Sequence, residues 1–217
     1  MRPQAMTAAD DDVTAAGAPA DWRTYPSLEL STMLDVSLAE IVEHGYDATT
    51  VRTIASKVGV TVPTLYYHYE NKQAILVALL DHAMDIVTSH VCAALAEAGD
   101  DPAQRLSVVV EAIVLYMAHH SNLAFLDSER RSLTPENLAH YLQRRDQIDR
   151  ALGAAIQDGC DIGVFATPVP TEARRAILSM CQGIAGWFHS GGPKTPEQTA
   201  QDYVRIALSA VEHHRVS

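Results

Sequence analysis

Apolar positions recur with a helical period along most of this chain. Beyond Pro26, Leu30, Leu34, Leu38, Ile41 and Val42 make one stripe, and Gly45 follows His44 as a stop, which predicts a first helix. Behind Thr50, whose hydroxyl suits an N-cap, Val51, Ile54, Ala55 and Val58 fall at i, i+3, i+4 and i+7 before Gly59 ends a short second helix. Thr61 can cap a third helix at once, with Pro63 tolerated in a first turn that loses no intrahelical N–H bond. From Asn71 a long segment carries Ile75, Leu79, Ala83, Ile86 and Val87 on the same period.

Later starts are marked by capping signals. Asp101-Pro102 precedes Leu106 to Met117, and Thr134-Pro135-Glu136 precedes Leu138 to Ile156, where Leu133 and Leu138 can form a hydrophobic staple and Gly159 is expected to close the helix. Another helix is expected from about Thr171 to His189. Thr195-Pro196-Glu197-Gln198 supplies an N-cap, a first-turn proline and a capping-box Gln ahead of Tyr203, Val204, Ala207, Leu208 and Val211. No alternating run lies between hairpin turns, and Gly163 to Ala166 is too short to build a sheet, so the predicted class is all-α.

Residues 1 to about 24 mix Asp10, Asp11, Asp12, Gly17 and Pro19 with alanines and show no period, which predicts a disordered arm. The remaining chain, in a sequence of 217 residues that is 47% hydrophobic, is long enough to bury a core. No stretch approaches the roughly 18 uninterrupted apolar residues of a membrane span. The N-terminus lacks the pattern of an export signal, so a cytoplasmic location and no membrane partner are expected. Cys92, Cys160 and Cys181 are far apart and form no C-x-x-C pair, which favours buried thiols over disulfides or zinc. Ten histidines include His119-His120 and His213-His214, but adjacent helical residues point about 100° apart and no third ligand has suitable spacing. Neither a metal nor a cofactor is expected.

Helix, glycine turn, helix between Thr50 and Tyr69 is the arrangement that sets a second helix into a DNA major groove. Thr61, Val62, Pro63 and Thr64 are small enough at its leading end to approach base edges, while Tyr66, Tyr67 and His68 offer polar tips on apolar bodies. Lys72 adds a cation beside the next helix N-terminus. On a 3.6-residue period Val62, Leu65, Tyr66 and Tyr69 share a stripe, which leaves Tyr66 open between core and groove. A small bundle with the tyrosines as packing is the alternative, but packing alone requires neither Pro63-Thr64 nor Lys72. The formal net charge of −11 opposes DNA binding, and Glu29, Asp35, Glu40, Glu43, Asp47 and Glu70 outnumber Arg52, Lys57 and Lys72 locally. Modest, salt-sensitive affinity follows.

The segment resembles the DNA-binding domain of the tetracycline-repressor (TetR) family, whose pattern is T-x-R-x-I-A-x-x-x-G-V-x-x-x-T-L-Y-x-H-x-x-N-K. Thr50, Arg52, Ile54, Ala55, Gly59, Val60, Thr64, Leu65, Tyr66, His68, Asn71 and Lys72 stand in register with it, and the resemblance covers about residues 28 to 90. It implies that Arg52, Pro63, Thr64, Tyr66, Tyr67 and Lys72 touch DNA, with Thr50 near phosphate. It further implies a helix-turn-helix domain over 25–72, a ligand-binding and dimerisation domain over 73–217, and a homodimer on a near-palindromic double-stranded operator. The sequence departs from the family ahead of the first helix, where Arg23 stands almost alone instead of several basic residues.

In the second domain the small residues Ser179, Gly183 and Gly186 would admit a close helix, and with Tyr203, Val204, Ala207 and Val211 they are the expected dimer interface; tight internal packing is the alternative. Glu129 to Glu136, Gly163-Val164-Phe165 and Trp187 to Glu197 are similar to TetR-family members that sense acyl-CoA thioesters. Such an effector needs an apolar slot and cations near its phosphates, for which Met117, Phe125, Tyr141 and Trp187 with Arg130, Arg131, Arg144 and Arg145 are candidates. These aromatics could equally be core and the arginines a solvated face. Competing readings are a sensor of drugs or aromatic ligands, and a helical adaptor that has lost DNA binding. An enzyme is not expected, because no glycine-rich phosphate loop, G-x-S-x-G elbow or H-E-x-x-H is present.

Overall fold

The structure, a computed structural model, describes residues 21–212. Within them the helices are α1 (Thr32–His44), α2 (Val51–Val58), α3 (Val62–His68), α4 (Lys72–Ala98), α5 (Pro102–His119), α6 (Ser121–Phe125), α7 (Pro135–Asp161), α8 (Pro170–Gly183) and α9 (Pro196–Ala210). Tighter 3-10 turns follow α6 and α8 at Leu126–Ser132 and Ile184–Gly186. No strand occurs among the described residues, as the all-α class requires.

The expected caps start the helices. Thr50, Thr61, Asn71, Thr134 and Thr195 each accept a hydrogen bond from the backbone N–H three residues on, and Asp101 accepts from that of Ala103. At Thr195 the reciprocal bond from its own N–H to the Gln198 side chain, 3.0 Å, completes the capping box. Ser31 caps α1, so Leu30 precedes the helix instead of lying in it.

Two stops differ from expectation. Gly159 lies inside α7, which continues to Asp161. Its carbonyl accepts the N–H groups of Val164 and Phe165 at 2.8 and 3.0 Å, and a Cβ there would come within 2.2 Å of the buried Phe165 ring. That glycine is a seat for a returning aromatic, not a terminator. α8 ends at Gly183 and gives way to the 3-10 turn, so the helix does not reach His189.

α5 is the axis of the larger body. Val108, Val109, Val110 and Ala112 to Tyr116 are all buried, the signature of a helix surrounded on every side, and α4, α7, α8 and α9 pack around it. α4 is long and apolar enough to cross a membrane by length and composition, which the absence of an uninterrupted apolar run had concealed. Half of its most apolar window is buried in the protein, and Asp81 and Asp85 interrupt it, so here it is a core helix.

The disordered arm expected to residue 24 is corrected at its end; residues 1–20, like His213 and His214, lie outside the described part. Trp22 is buried, its indole donates to Glu97 at 2.7 Å, and its carbonyl meets His90 Nδ1 at 2.7 Å. Arg23 pairs with Glu97 and Glu111, and Tyr25 stacks on the rings of His90 and His119 while donating its hydroxyl to the Ala112 carbonyl. Residues 21–25 are therefore a strap laid across α4 and α5, ahead of the small domain built from α1 to α3.

Candidate nucleic-acid interface and adjoining cavity

Gly59 makes the reversal between α2 and α3. At φ +82°, ψ 26° it sits in the left-handed region that costs glycine nothing, and its N–H bonds back to Ala55 and Ser56 while Val60 N–H reaches the Ala55 carbonyl. α3 is then pinned from one side by Leu65, which is fully buried, with Val62 and Tyr69 half-buried beside it. Everything else on this helix faces out. Pro63, Thr64 and His68 are exposed, Tyr67 is 86% exposed, and Tyr66, open between core and groove by periodicity alone, is 46% exposed. Thr50, Arg52 and Thr61 are exposed on the same small domain.

The cations are less available than the sequence suggests. Lys57 donates to the buried Glu40 carboxylate, so that otherwise costly charge is paired from the surface. Lys72, expected at a phosphate, instead donates to the carbonyls of Tyr46 at 2.8 Å and Thr49 at 3.1 Å and lies over the Tyr46 ring. Its charge neutralises the carbonyl-rich turn between α1 and α2, so its role here is to fix that turn against α4. Glu40, Glu43 and His44 are the group whose arrangement approaches a metal site, but Lys57 already occupies the Glu40 carboxylate.

A cavity of about 60 Å³ lies in the larger body between α4, α5, α6, α7 and α8. Of the expected effector residues, Met117, Tyr141 and Arg145 line it; Phe125, Arg130, Arg131, Arg144 and Trp187 do not. Three of the four candidate arginines lie beside aspartates, and Arg131 is exposed. Arg144 is held by Asp81 and Asp85, Arg130 donates to Asp127 at 2.8 Å, and Arg145 stands 3.7 Å from Asp127. Trp187 is half exposed and lies beside Phe188 and Tyr203, on the α8–α9 side.

The polar groups on the lining are Tyr116, Asp127, Tyr141, Arg145 and Gln182. Tyr141 donates to Asp127 at 2.7 Å, and burial together with that carboxylate pushes its phenol far up. Tyr116, from α5, is buried and raised in the same direction, again by burial first and Asp127 second. Behind it His120 is driven down to about 4 by burial and by His119, His90 and His82, so it is neutral near pH 7.

The cavity wall also touches the small domain. Leu123, Ala124 and Asp127 line the cavity from α6 and the turn after it, and on the same turn the buried Glu129 accepts a long bond, 3.5 Å, from the Tyr46 N–H. Gln73, in the first turn of α4, donates to the Ser132 carbonyl and accepts from the Thr134 N–H and the Asn137 amide. The turn at 126–132 is thus tied on one side to the α1–α2 corner and on the other to α4. None of Glu129, Gln73 or Tyr116 was singled out by sequence for these roles, since their partners lie far away along the chain.

For the expected dimer face, Ser179, Gly183 and Gly186 are exposed and Tyr203 and Val204 half-buried, beside Ile206, which is 51% exposed. Ala207 and Val211 are corrected, being fully buried within the protomer. On a 3.6-residue period these two fall on the inward side of α9, leaving Ile206 outward.

Residues 99–211 match the family described as "Tetracyclin repressor-like, C-terminal domain", and residues 33–79 match "Bacterial regulatory proteins, tetR family". The chain is 26% identical over 195 residues to the HTH-type transcriptional repressor KstR2 of Rhodococcus jostii, covering 89% of this chain and 96% of that protein. It is 33% identical over 201 residues to the HTH-type transcriptional activator FasR of Mycolicibacterium smegmatis, covering 91% and 90%. Among solved structures, a tetR-family regulatory protein from Rhodococcus RHA1 superposes with a TM-score of 0.75 at 28% identity over 83% of this chain and 95% of its own. AibR in complex with isovaleryl coenzyme A and operator DNA superposes with a TM-score of 0.71 at 26% identity over 80% and 95%.

Proposed function

Because the chain belongs to the tetracycline-repressor (TetR) family of bacterial transcription regulators, we propose that it is a repressor that binds a near-palindromic operator as a homodimer and leaves it when a small-molecule effector enters the cavity. The observation that carries this reading is the outward row of Pro63, Thr64, Tyr66, Tyr67 and His68 on a helix anchored from within by Leu65, with Val62 and Tyr69 beside it. Two such helices related by a two-fold axis would meet successive major grooves, about 34–36 Å apart. KstR2 is named as a repressor, and AibR is described with both an acyl-CoA and operator DNA, which supports an acyl-CoA or similar apolar effector here.

The route from effector to operator runs through the turn at 126–132. At about 60 Å³ the cavity has room for a few waters, whereas effector sites are typically about 300–1,000 Å³. Occupation therefore requires the wall to move, and that wall carries Glu129 and the ties to Tyr46 and Gln73. An effector that favours the expanded state draws the population away from the spacing that fits DNA.

The test is a titration of the DNA upstream of its own gene, at rising salt, with and without acyl-CoA esters. Salt-dependent binding that the ester releases is expected. Absence of binding at low salt, or a ligand held equally by free and operator-bound protein, would refute the reading. FasR favours a second one, an activator, in which the same ligand tightens operator binding and an operator-driven reporter rises.

A further inference from the structure

The geometry of the cavity points to an effector that carries a neutral oxygen acceptor, the carbonyl of a ketone, ester or thioester, held inside by the hydroxyl of Tyr116. This rests on the reading of the cavity as the effector site and says what that effector has to be.

Tyr116 is 1% exposed and lines the cavity, yet its hydroxyl has no hydrogen-bond partner. Buried hydroxyls are paired in the large majority of cases, so one left unmet beside a cavity marks a contact that a ligand completes. The obvious neighbour is already occupied. One Asp127 oxygen takes the Tyr141 hydroxyl and faces Arg145, and the other takes Arg130. Raised by burial and by that carboxylate, the Tyr116 phenol keeps its proton and stays a donor.

Charge decides between classes of acceptor. Asp127 and Arg145, the two ionised groups on the lining, stand 3.7 Å apart, and Asp127 is met besides by Arg130 and by the Tyr141 hydroxyl. A carboxylate brought to Tyr116 would lie near the Asp127 carboxylate, which Arg130 and Arg145 already face, and an ammonium would find no free anion. A neutral carbonyl offers lone pairs to the phenol with no charge to compensate. Apart from Tyr141 and the Gln182 amide the remaining lining is apolar, and Met84 and Met117 supply flexible side chains that let the space grow around a hydrocarbon body.

The test uses the full chain and its Tyr116→Phe variant, titrated calorimetrically with 2-octanone, 1-octene and octanoate. Phenylalanine keeps the ring and removes only the unmet hydroxyl, so the variant is expected to melt no lower than the parent. The parent should bind 2-octanone about tenfold tighter than 1-octene or octanoate, in line with one buried hydrogen bond, and the variant should bind ketone and alkene alike. A ketone preference that survives Tyr116→Phe, or octanoate as the tightest ligand of the parent, would overturn the inference. Equal binding of ketone and alkene to both proteins leaves the cavity as the effector site but removes the Tyr116 contact. Failure of all three to bind either protein overturns both.

Discussion

Arg52 offers the sharpest measurement of how this acidic protein holds DNA. On the small domain Lys57 is taken by Glu40 and Lys72 by two carbonyls, while Arg52 stands exposed in the first turn of α2. Binding that neutralises phosphates weakens with salt by a log–log slope of about 0.9 per contact on duplex DNA. In a dimer Arg52→Ala removes two contacts, so the slope should flatten by ~1.8. Between about 50 and 200 mM salt the parent should then lose about twelvefold more affinity than the variant. Fluorescence anisotropy of a labelled operator duplex across that range reads the slope directly. Lys57→Ala is the control. It strands a buried Glu40 carboxylate and should lower the melting temperature, with little change in slope. Parallel slopes for the parent and Arg52→Ala, or equal flattening by Lys57→Ala, would refute the assignment of phosphate contact to Arg52.

Thr64→Ala with Tyr67→Ala should weaken operator binding by about tenfold or more, since contacts to bases are worth about 1–3 kcal/mol, while melting stays unchanged because both side chains are exposed; unaltered affinity in a gel-shift titration removes α3 from the groove. Gly159→Ala forces a Cβ into the Phe165 ring, and with overpacking costing about 1–3 kcal/mol against about 1 regained in helix propensity, a net loss of about 1 kcal/mol and a fall in Tm of about 2–4 °C are expected; an equal or higher Tm would contradict the seat described for that ring. His120 titrates at about 4 in the fold against 6.5 in a free chain, so between those values the unfolded state binds the extra proton. Stability present above pH 6.5 should therefore decline as pH falls through this window, by roughly 3 kcal/mol at the limit, and His120→Asn should flatten the decline in pH-dependent urea unfolding. Ile206→Asp, on the exposed side of α9, should convert a dimer to a monomer in light scattering; a parent protein already monomeric at micromolar concentration would end the two-headed reading.

Local signals were legible in the sequence because they act within a few residues. Thr50, Thr61, Asn71, Asp101, Thr134 and Thr195 announce helix starts by bonds that span two or three positions, and Gly59 announces a reversal by its own backbone freedom. The exposure of Tyr66 was not legible, since a period places it on the boundary and only the packing of Leu65 decides which way α3 rolls. Distant pairings were invisible. Trp22 meets Glu97 across 75 positions, Glu129 meets Tyr46 across 83, and Arg144 finds Asp81 and Asp85 across 63 and 59. A cation whose partner lies far along the chain reads as a ligand-binding charge, which is why Arg144 and Arg145 stood among the effector candidates.

The strap at residues 21–25 has a consequence for motion. With Trp22 and Tyr25 moored on α4 and α5, and Lys72 opening α4 itself, the reading head is attached where the chain enters it and where the chain leaves. A panel fastened along opposite edges rocks about one line; fastened along one edge it swings. A chain beginning after Tyr25 would keep every residue of the recognition surface and its ties through Tyr46 to Glu129 and Lys72, yet lose the fastening at the edge where the chain enters, and present that surface to the duplex over a wider range of angles.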